Sequence, residues 1–350
     1  MPKKKCAAVA MSGGVDSSYA AYLLKESGYD IFGVTMNLFE QNAPETSAAD
    51  ICKFLGISHY FIDMRSQFNN IIIDDYTNGY CMGMTPNPCV KCNMYLKFGS
   101  LLEKSKLLGA DYLATGHYAQ IISDTNGVKR LCKGYDEEKD QSYFLYGLGN
   151  ERIQEVLFPL GALQKSQVKQ RVKELGFPAV IKPESKDACF LQGTHRSFIE
   201  NKFFASAAPG NFIYHGKTVG IHKGIPFYTI GQRRGISVSI GRPVYIHHIN
   251  KNTNEIHLGD RDDLYRESFN VKQLIILAPD LLDKNEFTVK IRYRAESKPC
   301  KIHWSADKNT IRVSIDQCSP FWGVTPGQSA VFFYDNIVIA GGIIDETKPL

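Results

Sequence analysis

The sequence predicts an α/β protein: a parallel sheet at the N-terminus, a small β-rich central unit, and a C-terminal β-barrel. Three observations predict it. A short apolar run, Ala7-Ala8-Val9-Ala10, passes through a glycine turn into a helical stretch, Tyr19 to Lys25, that stops at Gly28. Strand and helix patterns then alternate to about residue 120, as an open parallel sheet requires. Near Ala208-Pro209-Gly210 the character changes to short β runs separated by glycines.

In order, Asp30 to Phe39 reads as the second strand, Ala48 to Leu55 as a helix, and Ser58 to Met64 as the third strand. Phe68 to Tyr80 reads as helix, Gly83 to Asn93 as a Pro- and Cys-rich loop, and Tyr95 to Leu108 as a helix ended by Gly109. Asp111 to Thr115 then delivers Gly116-His117-Tyr118 to the carboxyl edge of the sheet, where ligands of open α/β sheets gather. Lys139 to Lys186 reads as mostly helical, with Ser166 to Leu175 the clearest helix. Beyond it, Asn211 to Tyr214, Thr218 to His222 and Tyr228 to Gly231 read as strands. So do Val271–Leu277, Phe287–Tyr293, Lys301–Trp304, Ile311–Ile315, Ala330–Tyr334 and Ile337–Ala340, with Asp335-Asn336 as a two-residue hairpin turn. The expected domains are 1–206, 207–271 and 272–350.

The turn Ser12-Gly13-Gly14-Val15-Asp16-Ser17 sits where a strand meets a helix N-terminus, so its unpaired N–H groups converge on an anion. Ser12 and Ser17 add hydroxyl donors. Asp16 repels phosphate unless a divalent cation such as Mg²⁺ bridges the two. No lysine follows the glycines, so the GxxxxGK[ST] loop is absent.

The charged fraction of 22% and hydrophobic fraction of 43% suit a soluble globular protein. No apolar run reaches membrane-spanning length and Met1-Pro2-Lys3-Lys4-Lys5 opens no signal peptide, so no membrane role and a cytoplasmic location are expected. Nine cysteines in a reducing compartment point to catalysis or metal binding before disulfides. Residues 201–300 carry 15 Lys/Arg against 9 Asp/Glu, a basic stretch suited to a polyanion such as nucleic acid.

The loop Thr85-Pro86-Asn87-Pro88-Cys89-Val90-Lys91-Cys92-Asn93 places Cys92 just before a helix, whose N-terminal field favours a thiolate, with Lys91 adding positive charge. Such a thiolate attacks carbon or sulfur, or binds a soft metal. Half of a zinc site is the competing reading, but no second CxxC and no His pair at finger spacing follows. A third cysteine, Cys189, stands in Glu184-Ser185-Lys186-Asp187-Ala188-Cys189-Phe190, where a buried core thiol is the plain alternative.

The strings MSGGVDSS, TPNPCVKCN, LGADYLATGHYA, DEEKDQSYFL, ESKDACF, YTIGQRRG, RYR and TPGQ, in this order, resemble the tRNA-specific 2-thiouridylases, a family of the N-type ATP pyrophosphatase (adenine nucleotide alpha hydrolase-like) superfamily. The resemblance covers nearly the whole chain. It implies ATP cleavage to AMP and pyrophosphate, adenylation of the wobble uridine (U34), and sulfur delivered by cysteine. Cys92 would be the nucleophile and Cys189 the persulfide carrier, with a transient Cys92–Cys189 disulfide. Ala10, Met11, Ser12, Gly13, Gly14, Val15, Asp16, Ser17, Met36 and Gly116 would contact ATP. Asn87, Pro88 and Cys89 would sit at the target base. His117, Lys139, Asp140, Gln141, Arg292, Tyr293 and Gln328 would touch the tRNA anticodon arm. A sulfur-donor protein or a sulfide source is the implied second partner.

Many relatives carry Asp where this chain has Cys89. Cys89, Cys92 and Cys189 together could hold a [4Fe–4S] cluster with one iron open to sulfide, so two sulfur routes stay open, the persulfide route ranked first. A small-molecule synthetase using an amine nucleophile would leave the three cysteines unexplained, and a plain RNA-binding module would leave the ATP loop unexplained. Arg233-Arg234 suit phosphate contacts at a turn, with a merely solvated pair as the plain alternative, and Arg292-Tyr293-Arg294 reads as a strand with charges on one face and an aromatic on the other, compatible equally with RNA contact and with a plain half-buried strand. Cys6, Cys52, Cys81, Cys132, Cys300 and Cys318 read as core or incidental thiols.

Overall fold

The computed structural model describes residues 4–39, 45–178, 188–191, 193–203, 207–284, 287–305, 310–315 and 320–345. Cys318 and residues 184–187 of the third cysteine motif lie outside them. The chain begins with β1 (Cys6–Ala10), α1 (Val15–Glu26), β2 (Asp30–Asn37), α2 (Glu45–Leu55) and β3 (His59–Asp63). Two long helices follow, α3 over residues 65–81 and α4 over residues 88–107, then β4 (Tyr112–Ala114). After the hairpin β5 (Ala119–Ser123) and β6 (Lys129–Lys133) come α5 (Gly149–Ile153), β7 (Val156–Leu157), α6 (Lys165–Glu174) and α7 (His195–Phe203).

Strands β3-β2-β1-β4-β7 form one wholly parallel sheet. Both faces of β1 are covered, which is why it is small and apolar throughout. Ala7 and Val9 join Ala21, Leu24, Ile51 and Cys52 on one side. Ala8 joins Val34, Leu101 and Leu113 on the other. That alternation follows from the two-residue period of a strand.

The central unit is the sheet β10 (Tyr245–Asn250), β11 (Glu255–Gly259), β8 (Gly210–Tyr214) and β9 (Lys217–His222) in that order, with β11 and β8 parallel. The C-terminal unit is a closed barrel of six strands, β13 (Ser268–Ile276), β16 (Thr310–Ser314), β15 (Lys298–Trp304), β14 (Phe287–Lys290), β18 (Ser329–Tyr334) and β19 (Ile337–Ile344), with β19 pairing back to β13. Closure removes the open sheet edges. The short pair β12 (Tyr265–Arg266) and β17 (Phe321–Trp322) lies beside it. Asp335, at φ 51°, and Asn336 join β18 to β19, the hairpin expected.

Four expectations fail. Arg292-Tyr293-Arg294 lie in the turn after β14, which ends at Lys290, so they do not alternate between the faces of a strand. Tyr228 to Gly231 is not a strand. A 3₁₀ turn over Ile225–Phe227 precedes it, and Gln232 N–H closes a turn back onto Thr229 O at 3.1 Å. Among the described residues the stretch from Lys139 is helical only in α5, α6 and two 3₁₀ turns, and β7 interrupts it at the edge of the parallel sheet. The helix expected from Tyr95 starts seven residues earlier, at Pro88, with Asn87 as its N-cap.

The barrel is bound to the N-terminal α/β unit. Hairpin β5–β6 extends the barrel sheet through Ile337 and Cys132. Arg130, 8% exposed, donates to both carboxylate oxygens of Asp280 at 2.9 and 2.7 Å and also pairs with Asp124. The buried Tyr143 hydroxyl donates to Ser329 O at 2.9 Å. Gly341 is a close-approach glycine: a Cβ there would lie 2.3 Å from Cγ of buried Tyr146. Gly341→Ala should therefore lower the urea unfolding midpoint, at a cost of about 1–3 kcal/mol. An unchanged midpoint would show that Tyr146 yields freely.

Candidate functional site

The glycine turn is held in shape by its own hydroxyls. Gly13 takes φ +74°, a left-handed conformation that favours glycine. Ser17, 4% exposed, accepts from Ser12 N–H at 3.2 Å and donates to Gly14 O at 3.1 Å. Its hydroxyl is therefore committed to the loop, while Ser12 stays exposed for a ligand. Ala10 pairs with Val34, Met11 N–H donates to Val34 O at 2.8 Å, and buried Val15 opens α1. Met36 lies two residues on in β2, half-buried, at the carboxyl edge. Gly116 closes the other side: a Cβ there would stand 2.9 Å from Ser17 N and 2.8 Å from Asp16 C. Only a glycine permits that approach.

Asp16 is not bare. Lys165, the first residue of α6, puts Nζ 2.5 Å from each carboxylate oxygen, and the Tyr118 hydroxyl donates to Oδ1 at 2.8 Å. Gln141 fixes that tyrosine, accepting from Tyr118 N–H at 3.0 Å and donating its own N–H to Tyr118 O at 2.8 Å. Asp140, 5% exposed, accepts from Gly134 N–H and from the N–H and hydroxyl of Ser142 at 2.9–3.0 Å. Both residues thus brace the nucleotide side from within. Lys139 N–H donates to Asp136 O at 3.0 Å, and the residue lines an open cleft beside Lys165.

The cysteine loop is clamped by the barrel. Gln328 donates to Thr85 O at 2.8 Å, and Thr85 N–H donates to Pro326 O at 2.8 Å, so TPGQ lies against TPNPC. Asn87 hydrogen-bonds buried Tyr143 and caps α4, with Pro88 in its first turn. Arg292 donates to Gly323 O and to Thr325 Oγ1, the latter at 2.7 Å, and lies 5.9 Å from the Trp322 ring centre. Tyr293 sits 4.6 Å from Phe144.

Cys92 lies inside α4 rather than ahead of it, and Lys91 is paired with Asp75, so neither expected cause of a low pKa operates. Burial pushes the Cys92 and Cys89 thiols up. Cys189 is pushed up to about 11 by burial and then by Cys92 and Cys89. Cys89 and Cys189 retain surface even so, which fits thiols in a crevice that opens to solvent. The three are free thiols and electrostatic neighbours. Among the described residues, no three His, Cys, Asp or Glu side chains are arranged to hold a metal ion.

One cation opposes that burial. Lys97 lowers all three thiol pKa values and helps hold His117 well below its usual value, where burial is the larger cause. Its placement depends on winding. Residues 92–101 form a π-helix, in which Leu102 N–H reaches Lys97 O, an i→i+5 bond. Residues five apart then share a face, so Lys97 follows Cys92 along the helix. The neutral His117 ring lies 5.9 Å from Phe98 and its Nδ1 is 2.7 Å from Thr115 Oγ1. Through Phe98, His117 and Gly116, α4 connects the thiols to the glycine turn.

Lys97 and Lys165 were invisible to sequence reading. An α-helical period puts Lys97 on another face from Cys92, and Lys165 stands 149 residues from Asp16. A lysine at a helix N-terminus opposes the helix dipole and was the one available signal.

A strand–glycine turn–helix at the carboxyl edge of a parallel sheet, braced from a second helix and joined to a thiol crevice, defines an enzyme domain of the ATP-cleaving, adenine nucleotide-binding kind. Family models match three consecutive segments: a tRNA methyl transferase HUP domain over residues 5–193, a tRNA methyl transferase PRC-barrel domain over 196–260, and an aminomethyltransferase β-barrel domain over 266–344. A tRNA-specific 2-thiouridylase MnmA of Clostridium perfringens is 39% identical, covering 99% of both chains. Those of Lachnoclostridium phytofermentans and Dehalococcoides mccartyi are 38% and 39% identical, covering 96% of this chain and 98% and 96% of their own. The chain belongs to the tRNA-specific 2-thiouridylase family.

Because burial raises the thiols, alkylation of Cys92 by iodoacetamide should be slow at neutral pH and rise steadily through pH 9. Lys97→Met should slow it further, roughly tenfold for each unit of pKa gained. A rate indifferent to Lys97, followed by peptide mass spectrometry, would remove the lysine from the site.

Proposed function

We propose that this chain is an ATP-dependent tRNA-uridine 2-sulfurtransferase acting on the wobble uridine. The observation that carries the reading is the physical link from nucleotide turn to thiol crevice through Gly116, His117, Phe98 and α4. Uridine O2 attacks the α-phosphorus of ATP and pyrophosphate leaves. The outer sulfur of a Cys189 persulfide then attacks C2, and AMP departs carrying the former O2. Cys92 attacks the inner sulfur, leaving sulfur on C2 and a Cys92–Cys189 disulfide that an external thiol reduces.

Mg²⁺ fits beside Asp16, whose carboxylate already attracts a cation; when bound it would neutralise charge on the leaving pyrophosphate. The cysteines as arranged do not form a cluster site, so no step is routed through iron. Full activity of iron-free, anaerobically purified protein is expected, and activity that tracks iron content would restore the cluster. Asn87, Pro88 and Cys89 would face the target base, with Lys139, Arg292-Tyr293 and Gln328 shaping the anticodon-arm surface. Residues 1–206 would carry chemistry, with 207–271 and 272–350 as tRNA-binding units. The reaction would run in the cytoplasm with a persulfide-bearing protein passing its outer sulfur to the Cys189 thiol, or with sulfide attacking the Cys92–Cys189 disulfide to give the Cys189 persulfide and a free Cys92 thiol. No described helix is long and apolar enough to cross a membrane. Methyl transfer, which two of the family-model descriptions name, has no use for an ATP-cleaving turn or for three coupled thiols.

Radiolabelled sulfur transfer to unmodified tRNA tests the reading: label should require ATP. Cys92→Ser and Cys189→Ser should each abolish it, and retained thiolation in either refutes that cysteine's role. Asp16→Ala should abolish tRNA-dependent pyrophosphate release while tRNA binding, measured by filter retention, survives.

A further inference from the structure

The sulfur transfer described above uses two of the three thiols in the crevice and gives the sulfur of Cys89 no task. The fold places that sulfur beside Cys92. Asn87 caps α4 and Pro88 opens it, so Cys89 is the second helical residue, and the N-terminal field expected at Cys92 falls on Cys89 instead. The backbone stays helical from there to Cys92, whose N–H donates to Pro88 O and Cys89 O. Residues three apart in a helix share a face with their Cα atoms about 5 Å apart. That lies inside the span of about 4.4–6.8 Å that a disulfide bridges. The two residues between them are engaged elsewhere: Val90 is buried in the core, and Lys91 pairs with Asp75.

All three cysteines are free thiols, and both Cys89 and Cys189 have Cys92 as an electrostatic neighbour. Cys89 is exposed and Cys92 is half-buried. Thiolation by the persulfide route ends in a Cys92–Cys189 disulfide, which ties up the sulfur carrier. Thiol–disulfide exchange needs only a neighbouring thiolate that can reach one of the two sulfurs. Cys89, one helical turn from Cys92, is such a neighbour.

We propose that Cys89 is the resolving thiol of the cycle: it attacks Cys92 Sγ in the Cys92–Cys189 disulfide and moves that disulfide onto one turn of α4. The Cys89–Cys92 bond forms as the Cys92–Cys189 bond breaks. Cys189 leaves as a thiolate and takes up the proton that Cys89 gave up, so the exchange needs no oxidant or reductant. An external dithiol then reduces the Cys89–Cys92 pair with two electrons and two protons. It meets the exposed Cys89 sulfur first, so Cys92 is the leaving group. Cys189 is meanwhile free to take the next sulfur. This rests on the sulfurtransferase reading above and adds a catalytic residue to it.

Disulfide mapping of the full-length protein tests it. Cys189 is loaded with persulfide by a cysteine desulfurase and free cysteine, and the protein is desalted. It is then mixed with Mg·ATP and unmodified tRNA without reductant, acid-quenched, alkylated and read by peptide mass spectrometry. Trypsin cleaves after Lys91, so a Cys89–Cys92 crosslink joins two separate peptides. That crosslink should prevail, with Cys189 alkylated, and Cys89→Ser should stop at Cys92–Cys189. A prevailing Cys92–Cys189 crosslink in the unaltered chain, with Cys89 alkylated, overturns the proposal. Thiouridine in the same tRNA reports on the sulfurtransferase reading, which fails if none forms. The pair is then judged on Cys189→Ser in a series of oxidised and reduced dithiothreitol buffers. There the Cys89–Cys92 disulfide should close and reopen, and a chain that never closes it overturns the proposal.

Discussion

The packing of α4 between the barrel and the nucleotide turn is the constraint on which the rest of this molecule depends. Its N-terminus is fixed by Gln328 and Pro326 through Thr85, and by Tyr143 through Asn87. Its body presents Phe98 to His117, which follows Gly116, the residue wedged against Asp16 and Ser17. The π-wound segment between these anchors turns Lys97 onto the face of Cys92. π-winding is rare and, as single-turn bulges within α-helices, is frequent at functional sites; here it runs over residues 92–101. It is accompanied by a gain that an α-helix would not supply: one cation within electrostatic reach of all three thiols of the crevice.

Charge at the site is managed by distance and burial. The thiols sit where desolvation keeps them protonated, and Lys97 partly opposes that. On the nucleotide side the carboxylate that would repel ATP is held by a lysine from a separate helix. The same logic governs His117, a neutral ring that can bridge the two halves without adding charge to either. The basic balance of residues 201–300 falls in the central unit and the first half of the barrel, much of it in the connections between strands, as at Arg233, Arg234 and Arg242.

Domain contacts matter because the cysteine loop is held from the barrel, through Thr85 to Gln328 and Pro326. One continuous apolar core runs from Phe32, Phe68 and Leu101 through Phe212 and Ile256 to Phe333 and Val338. Arg130 adds a nearly buried, bidentate tie from the β5–β6 hairpin to Asp280. The barrel thus sets the position of TPNPC, and Asp140 spends its carboxylate inside the protein rather than at its surface.

By itself the sequence determined whatever is local in the chain. The parallel sheet was legible in the period of its strands, the strand–turn–helix in Ser12 to Ser17, and the barrel in its alternating runs and the Asp335-Asn336 turn, while Cys89, Cys92 and Cys189 were legible as candidates for sulfur chemistry. Only the tertiary structure decided which charges act on those groups. Lys165 comes to Asp16 from 149 residues away, and Lys97 comes to Cys92 through a winding that no 3.6-residue period announces. The expected helix-end thiolate failed for the same reason: a pKa is set by burial and by neighbours in space, and residues such as Asn87 and Tyr143 become neighbours only when the chain folds.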